Sequence, residues 1–293
     1  MSKENGLHIK KSSNAADWKV GTSSSLFRRF GEKELIACKE AGVEYIELCL
    51  FARTFDLSKD ALTSACQSLA QKAGSIGVKF WSIHLPFGNE WDISAPDEDF
   101  RKAIIQKLVE LMESSACLKA QKAVIHGSFE PIHPDERSAR LKACRESLSE
   151  LSIAANRLGM QLAVECLPRT CLGNTTAEML HIIEGIDLLG VCCDMNHLLT
   201  DKAEDFIKAL GSRLVSLHVS DYDRVDERHW MPGRGLNDWN AIIEALEQIG
   251  YDGPFLFEVG RHDLSNPIRP ADLKRCWDKL LEDYLSNSKH KSQ

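Results

Sequence analysis

Residues 214–239 read "LVSLHVSDYDRVDERHWMPGRGLNDW". The opening is apolar and β-branched, as a buried strand requires. Histidine, carboxylates and arginines then crowd in before a Pro-Gly-x-Gly turn. A strand that serves only as core has no use for an imidazole and an aspartate at its tail. The stretch decides the fold because its pattern recurs along the chain. "WKVGTSS" (18–24), "VEYIELCLF" (43–51), "VKFWSIHLP" (78–86), "KAVIHGS" (122–128), "MQLAVEC" (160–166), "LGVCCDM" (189–195) and "FLFEVG" (255–260) are similar runs. Each is followed by a longer amphipathic segment, such as "DFRKAIIQKLVELMESSACL" (99–118) or "DWNAIIEALEQIG" (238–250). Gly42, Gly77, Gly159, Gly211 and Gly250 fall where a helix should end before the next strand.

Strands that are almost continuously apolar indicate a parallel sheet covered on both faces. Eight strand patterns alternating with eight helical ones in 293 residues predict an α/β protein built as one (β/α)8 TIM barrel. The boundaries expected are 18–285 for the barrel, with polar tails at 1–17 and 286–293. A doubly wound open sheet is the alternative. The formal charge of −7 disfavours nucleic acid and anionic membranes as partners. There is no apolar run long enough to span a bilayer and no apolar core of signal-peptide type near Met1. The ten cysteines are scattered without a C-x-x-C pair, which predicts free thiols and a cytoplasmic protein.

In such a barrel the working groups stand at the C-terminal ends of the strands. Reading those ends gives His84, His126, Glu165, Asp194 (with His197 three residues on), His218 and Glu258. Singly, each has a plain structural explanation: a hydrogen-bonded core histidine, a solvated carboxylate, a helix cap. Together they would repel or go unpaired at one barrel mouth unless a cation sat among them. Glu165, Asp194, His218 and Glu258 make an oxygen-rich ligand set suited to Mn²⁺ or Mg²⁺, with Co²⁺ or Zn²⁺ also accommodated.

"HLPFG" (84–88), Glu165, "DMNH" (194–197), "LHVSD" (217–221), "HWMPGRGLNDW" (229–239) and "FEVG" (257–260) together resemble the xylose isomerase-like barrel superfamily, in its sugar phosphate isomerase/epimerase branch. The resemblance implies a metal held by Glu165, Asp194, His218 and Glu258. It also implies substrate contacts from His197 and Arg224, with His84 beside them. Where the related ketose 3-epimerases carry a second glutamate six positions after the first, this chain has Cys171. The implied activity is a metal-dependent sugar or sugar-phosphate isomerase/epimerase. Glu165 and Glu258 would exchange a proton next to the carbonyl through a metal-stabilised enediolate. The partner would be a small sugar, and a homo-oligomer is compatible with that reading. Two alternatives share the barrel. An apurinic-site endonuclease with a zinc cluster would use His84, His126, His197 and His229, with Glu227 where those enzymes have aspartate. An inosose-type dehydratase would share the proton abstraction.

Overall fold

All eight apolar runs form strands and the segments between them form helices. The structure, a computed structural model, describes residues 13–260 and 267–291. The order is β1 (Val20–Ser23), α1 (Glu32–Glu40), β2 (Val43–Cys49), α2 (Lys59–Ile76), β3 (Lys79–His84), α3 (Glu98–Ser115), β4 (Lys122–His126) and α4 (Pro134–Arg157). It continues with β5 (Gln161–Glu165), α5 (Thr176–Ile183), β6 (Gly190–Asp194), α6 (Ala203–Leu210), β7 (Leu214–His218), α7 (Trp239–Gln248), β8 (Phe255–Phe257) and α8 (Pro270–Lys291). Every strand pair is parallel, in the order β7-β6-β5-β4-β3-β2-β1-β8. A single bridge between Val219 and Phe257 joins the two ends. The architecture is the expected TIM barrel, in one domain.

Local chemistry explains the element boundaries. Asp97, Thr175 and Asp238 cap α3, α5 and α7, each side chain accepting from a backbone N–H of the first turn. Gly77 closes α2 with a left-handed backbone (φ 82°) and returns its N–H to Ala73 O. In α2, Leu62, Cys66, Leu69 and Ala73 are buried at helical spacing, forming the stripe that packs on the sheet. Each such leucine contributes about 1.5–3 kcal/mol by leaving water.

Parts of both expected tails lie in regular elements. α8 runs on to Lys291, so most of 286–293 continues a helix; Tyr284, on its buried side, donates to Glu247 on α7. Residues 1–12 lie outside the described part of the chain. Ahead of Trp18, Ala15–Asp17 form a short 3-10 turn with Ala15 buried, because Asn14 caps it and Glu247 accepts from Ala15 N–H.

The alternation of strand side chains positions the site. Ile83, Ile125, Val164, Cys193 and Leu217 join the large core that packs against the helices. Val124, Ala163 and Cys192 form a separate cluster inside the barrel. Two residues further along those strands, the same inward parity brings up His126, Glu165 and Asp194. The register sets His126 beside Glu165 and Asp194 beside His218.

The loop after β7 is built around Asp221, which is fully buried. Its carboxylate accepts from Tyr222 N, Gly233 N and Asn237 N and from Trp239 Nε1, at 2.8–3.2 Å. Gly235 packs so closely that a Cβ there would lie 2.3 Å from Tyr222 O. The Gly233 N–H of the "PGRG" turn is therefore spent on an internal carboxylate and does not point at an external anion. Asp221→Ala would strand several buried donors and is expected to lower stability by about 3 kcal/mol. Urea unfolding checks this; a change below about 1 kcal/mol would show that water replaces the carboxylate.

Candidate metal and active site

Glu165 lies at the centre of the barrel mouth, buried at the end of β5. Its Oε2 is 3.1 Å from His84 Nε2 and 3.3 Å from His126 Nε2. Its Oε1 is 3.2 Å from His218 Nδ1. His218 Nδ1 in turn lies 2.8 Å from Glu258 Oε2 and 3.9 Å from Asp194 Oδ2. One ligand atom from each of Glu165, Asp194, His218 and Glu258 can be chosen so that all four lie within 4.8 Å of one another. The structure thus brings together four of the residues singled out at the strand ends.

Several histidines are oriented by a second bond. His84 Nδ1 lies 2.8 Å from Leu85 O, His197 Nδ1 2.9 Å from Cys166 O and His229 Nδ1 3.2 Å from Glu258 O. A carbonyl only accepts, so each ring carries its proton on Nδ1 and turns Nε2 away from that carbonyl. On the far side of the mouth, Glu227 Oε2 stands 3.8 Å from both His197 Nε2 and His229 Nε2. Asp194, His197 and His229 form a second group whose ligand atoms lie within 4.8 Å.

The electrostatics follow from carboxylates and imidazoles crowded out of water. Burial opposes the charged form of Glu165, yet His218 and His126 outweigh it and hold its carboxyl well below the usual range. Burial opposes ionisation of Glu258 too, and His218 wins, leaving it at about 2. At Asp194 burial prevails and lifts the acid to about 6. Burial works against a charged His84 but the bond to Glu165 raises it to about 9; His229 reaches about 9 in the same way through Glu227. His126 is the exception, lowered because burial exceeds the pull of Glu165.

A divalent cation fits this donor set. Asp194 Oδ2 is buried and makes no hydrogen bond, an arrangement that costs free energy unless a cation completes it. The remaining donors are two glutamates and an imidazole whose Nδ1 faces them. Glu165, Asp194, His218 and Glu258 are the residues that would hold the ion.

A cavity of about 180 Å³ lies over this cluster, lined by His84, His126, Glu165, His197, His229 and Glu258 among others. Phe87 stacks on His126 with ring centroids 4.2 Å apart and forms an apolar wall. Cys171 also lines the cavity, its thiol pushed up to about 11 chiefly by burial. Arg224 does not line it; its backbone is left-handed (φ 59°) and its Nε is buried without a hydrogen-bond partner. A larger hollow of about 890 Å³ lies between α4 and α5, where Lys142, Glu146 and Arg137 make ion pairs remote from the strand ends.

Two further residues shape the surroundings of the site. Glu47, buried in β2, reaches His218 from below. Arg169 ties the mouth together through Glu130, Asp226 and Glu227, at 2.6–2.8 Å from each. Arg169 and His229 both have left-handed backbones (φ 51° and 47°), strain of the kind that gathers at functional sites.

The family model for the xylose isomerase-like TIM barrel matches residues 35–279. The chain belongs to that family. Among relatives, a ketose 3-epimerase of Arthrobacter globiformis is 24% identical over 261 residues, covering 84% of this chain and 82% of the relative. An inosose isomerase of Bacillus velezensis is 25% identical over 246 residues, covering 78% and 83%. Of solved structures, a D-tagatose 3-epimerase-like protein superposes with a TM-score of 0.75 at 22% identity, over 94% of this chain and 100% of that one. This last likeness concerns the barrel alone.

Proposed function

We propose that this protein is a divalent-metal-dependent isomerase or epimerase of small sugars. The observation that carries the reading is the pair Glu165 and Glu258, which approach His218 Nδ1 from β5 and from just beyond β8, beside the Oδ2 of Asp194 that accepts no hydrogen bond. A divalent ion bound there supplies Lewis-acid polarisation of a carbonyl and its neighbouring hydroxyl. The names of the relatives, a ketose 3-epimerase and an inosose isomerase, agree with this chemistry. The choice among Mn²⁺, Mg²⁺, Co²⁺ and Zn²⁺ belongs to the proposal.

The protein's own groups do the rest. Glu165 and Glu258, both held ionised by His218, are bases at the floor of the cavity. One removes the proton next to the carbonyl and the other returns a proton to the opposite face. His84 and His197, turned by their carbonyl bonds, present Nε2 to substrate hydroxyls. Phe87 covers the apolar face of the sugar. Arg169 is the only guanidinium lining the cavity among the described residues, and three carboxylates already neutralise it. We therefore favour an unphosphorylated sugar.

The test is carbon-bound deuterium uptake in D₂O by Mn²⁺-loaded protein with ketoses, ketose phosphates and inososes. Label at C3 of a free ketose is the expected result. Label at C1 or C2 would indicate aldose-ketose isomerisation, and exchange with loss of water would indicate a dehydratase. The grouping of Asp194, His197 and His229 with Glu227 favours a second reading, a multi-metal phosphodiesterase of the endonuclease kind. Metal-dependent nicking of abasic DNA without sugar exchange would establish that reading and overturn the first.

A further inference from the structure

Glu47 lies on β2, two residues before the strand ends, and is fully buried. A carboxylate is costly to bury and persists where partners compensate it. Its Oε2 accepts from Ser82 Oγ at 2.8 Å and lies 3.1 Å from His218 Nε2, and Oε1 lies 3.0 Å from the same nitrogen. Ser82 is its register partner on β3, so the two strands hold the bond in place. Glu47 neither lines the cavity nor belongs to the four-residue ligand group. Its chemical consequence therefore runs through His218.

A neutral imidazole has one lone pair, and a carboxylate beside one nitrogen keeps the proton on that nitrogen. Carboxylates flank both nitrogens of His218; a cation among Glu165, Asp194 and Glu258 would take the Nδ1 lone pair, and the proton that remains is then the one Glu47 holds on Nε2. The contrast within the site is informative. His84, His197 and His229 are anchored through Nδ1 by neutral carbonyls, whereas His218 is anchored through Nε2 by a charged carboxylate. A charged acceptor makes the opposite nitrogen a stronger electron donor.

We infer that Glu47 is a positioning residue: with Ser82 it fixes the tautomer of His218 and sets the strength with which the Glu165–Asp194–His218–Glu258 cradle holds a divalent cation. This rests on the metal-dependent reading proposed above. Glu47→Gln keeps an acceptor but loses the charge, Glu47→Leu loses both, and Ser82→Ala frees the carboxylate to turn. Calorimetric titration of the metal-free proteins with Co²⁺ at one pH reads the effect, with the Co²⁺ absorption bands and metal-free unfolding midpoints as companions. Binding is expected to weaken by about tenfold in Glu47→Gln and by roughly a hundredfold in Glu47→Leu. Ser82→Ala should fall between wild type and Glu47→Leu, and the absorption bands should shift in all three. If Glu47→Leu does not fold, Glu47→Gln and Ser82→Ala decide. A Co²⁺ affinity within about twofold of wild type, with unchanged bands, overturns the role of Glu47 alone. A wild-type protein that gives no Co²⁺ isotherm overturns the metal reading, and this inference with it.

Discussion

Glu258→Gln is expected to reduce interconversion of the sugar substrate by roughly a thousandfold at saturating metal, the range for loss of a positioned acid or base. Glu165→Gln is expected to do the same. The two carboxylates stand on β5 and just beyond β8, and both are held ionised against burial by His218. Glutamine keeps the shape and a weak ligand oxygen but takes up no proton. The two variants should differ in one respect. If the carboxylates serve opposite faces of the sugar, each variant retains the base for one epimer. Each should then still exchange that epimer's proton with D₂O while failing to convert it, and the retained epimer should switch between variants. Steady-state turnover of both epimers, with deuterium incorporation in each, makes the measurement. Loss of less than tenfold in either variant would sink the two-base assignment, and loss of exchange with both epimers in Glu258→Gln alone would leave a single base.

Removal of divalent cation by a chelator is expected to abolish turnover and to expose a pH dependence of opposite sign in the two forms of the protein. His84 and His229 are raised to about 9, and His197 and His218 well above their ordinary value. At pH 7 the metal-free site thus carries protonated imidazoles that stabilise the neighbouring carboxylates. Groups raised on folding contribute stability that is complete below the unfolded value near 6.5 and is lost as pH rises through the folded value. The unfolding midpoint of the metal-free protein should therefore fall between pH 7 and 9. Cation binding displaces the proton of His218, so apparent affinity should rise with pH, by about tenfold per pH unit while that proton is displaced. Thermal unfolding with EDTA and with Mn²⁺, alongside titration at several pH values, tests both arms. A metal-free midpoint that is flat or rises from pH 7 to 9 would show that these imidazoles are neutral without metal.

Much of the site was legible because it is written at strand ends. His84, His126, Glu165, Asp194 and His218 are each the last residue of a strand, and Glu258 follows β8 directly. In a barrel all such ends meet at one mouth. Glu47 escaped that rule by sitting two residues before the end of β2. Barrel strands are tilted and staggered, so residues level with one another do not share a distance from their strand ends. An irregularity between Ile46 and Glu47 shifts the pairing of β2 with β3 at the same place. A carboxylate inside "YIELC" was the available signal. Arg169 offered less, since nothing local distinguishes an arginine engaged by three loops from one on the surface.

The sequence by itself determined the alternation of apolar strands with amphipathic helices, the glycine stops and the residue types at the strand ends. These depend on periodicities of two and 3.6 residues and on backbone conformations set within a few positions. They were enough for the barrel and for a mouth lined with carboxylates and imidazoles. Only the tertiary structure decided which nitrogen of each histidine faces the cradle, that one buried oxygen of Asp194 accepts no hydrogen bond, and that Arg169 is neutralised where it lines the cavity. Those outcomes arise between groups as far apart in the chain as Glu47 and His218. Strand stagger and loop closure set their distances, and no local pattern encodes either.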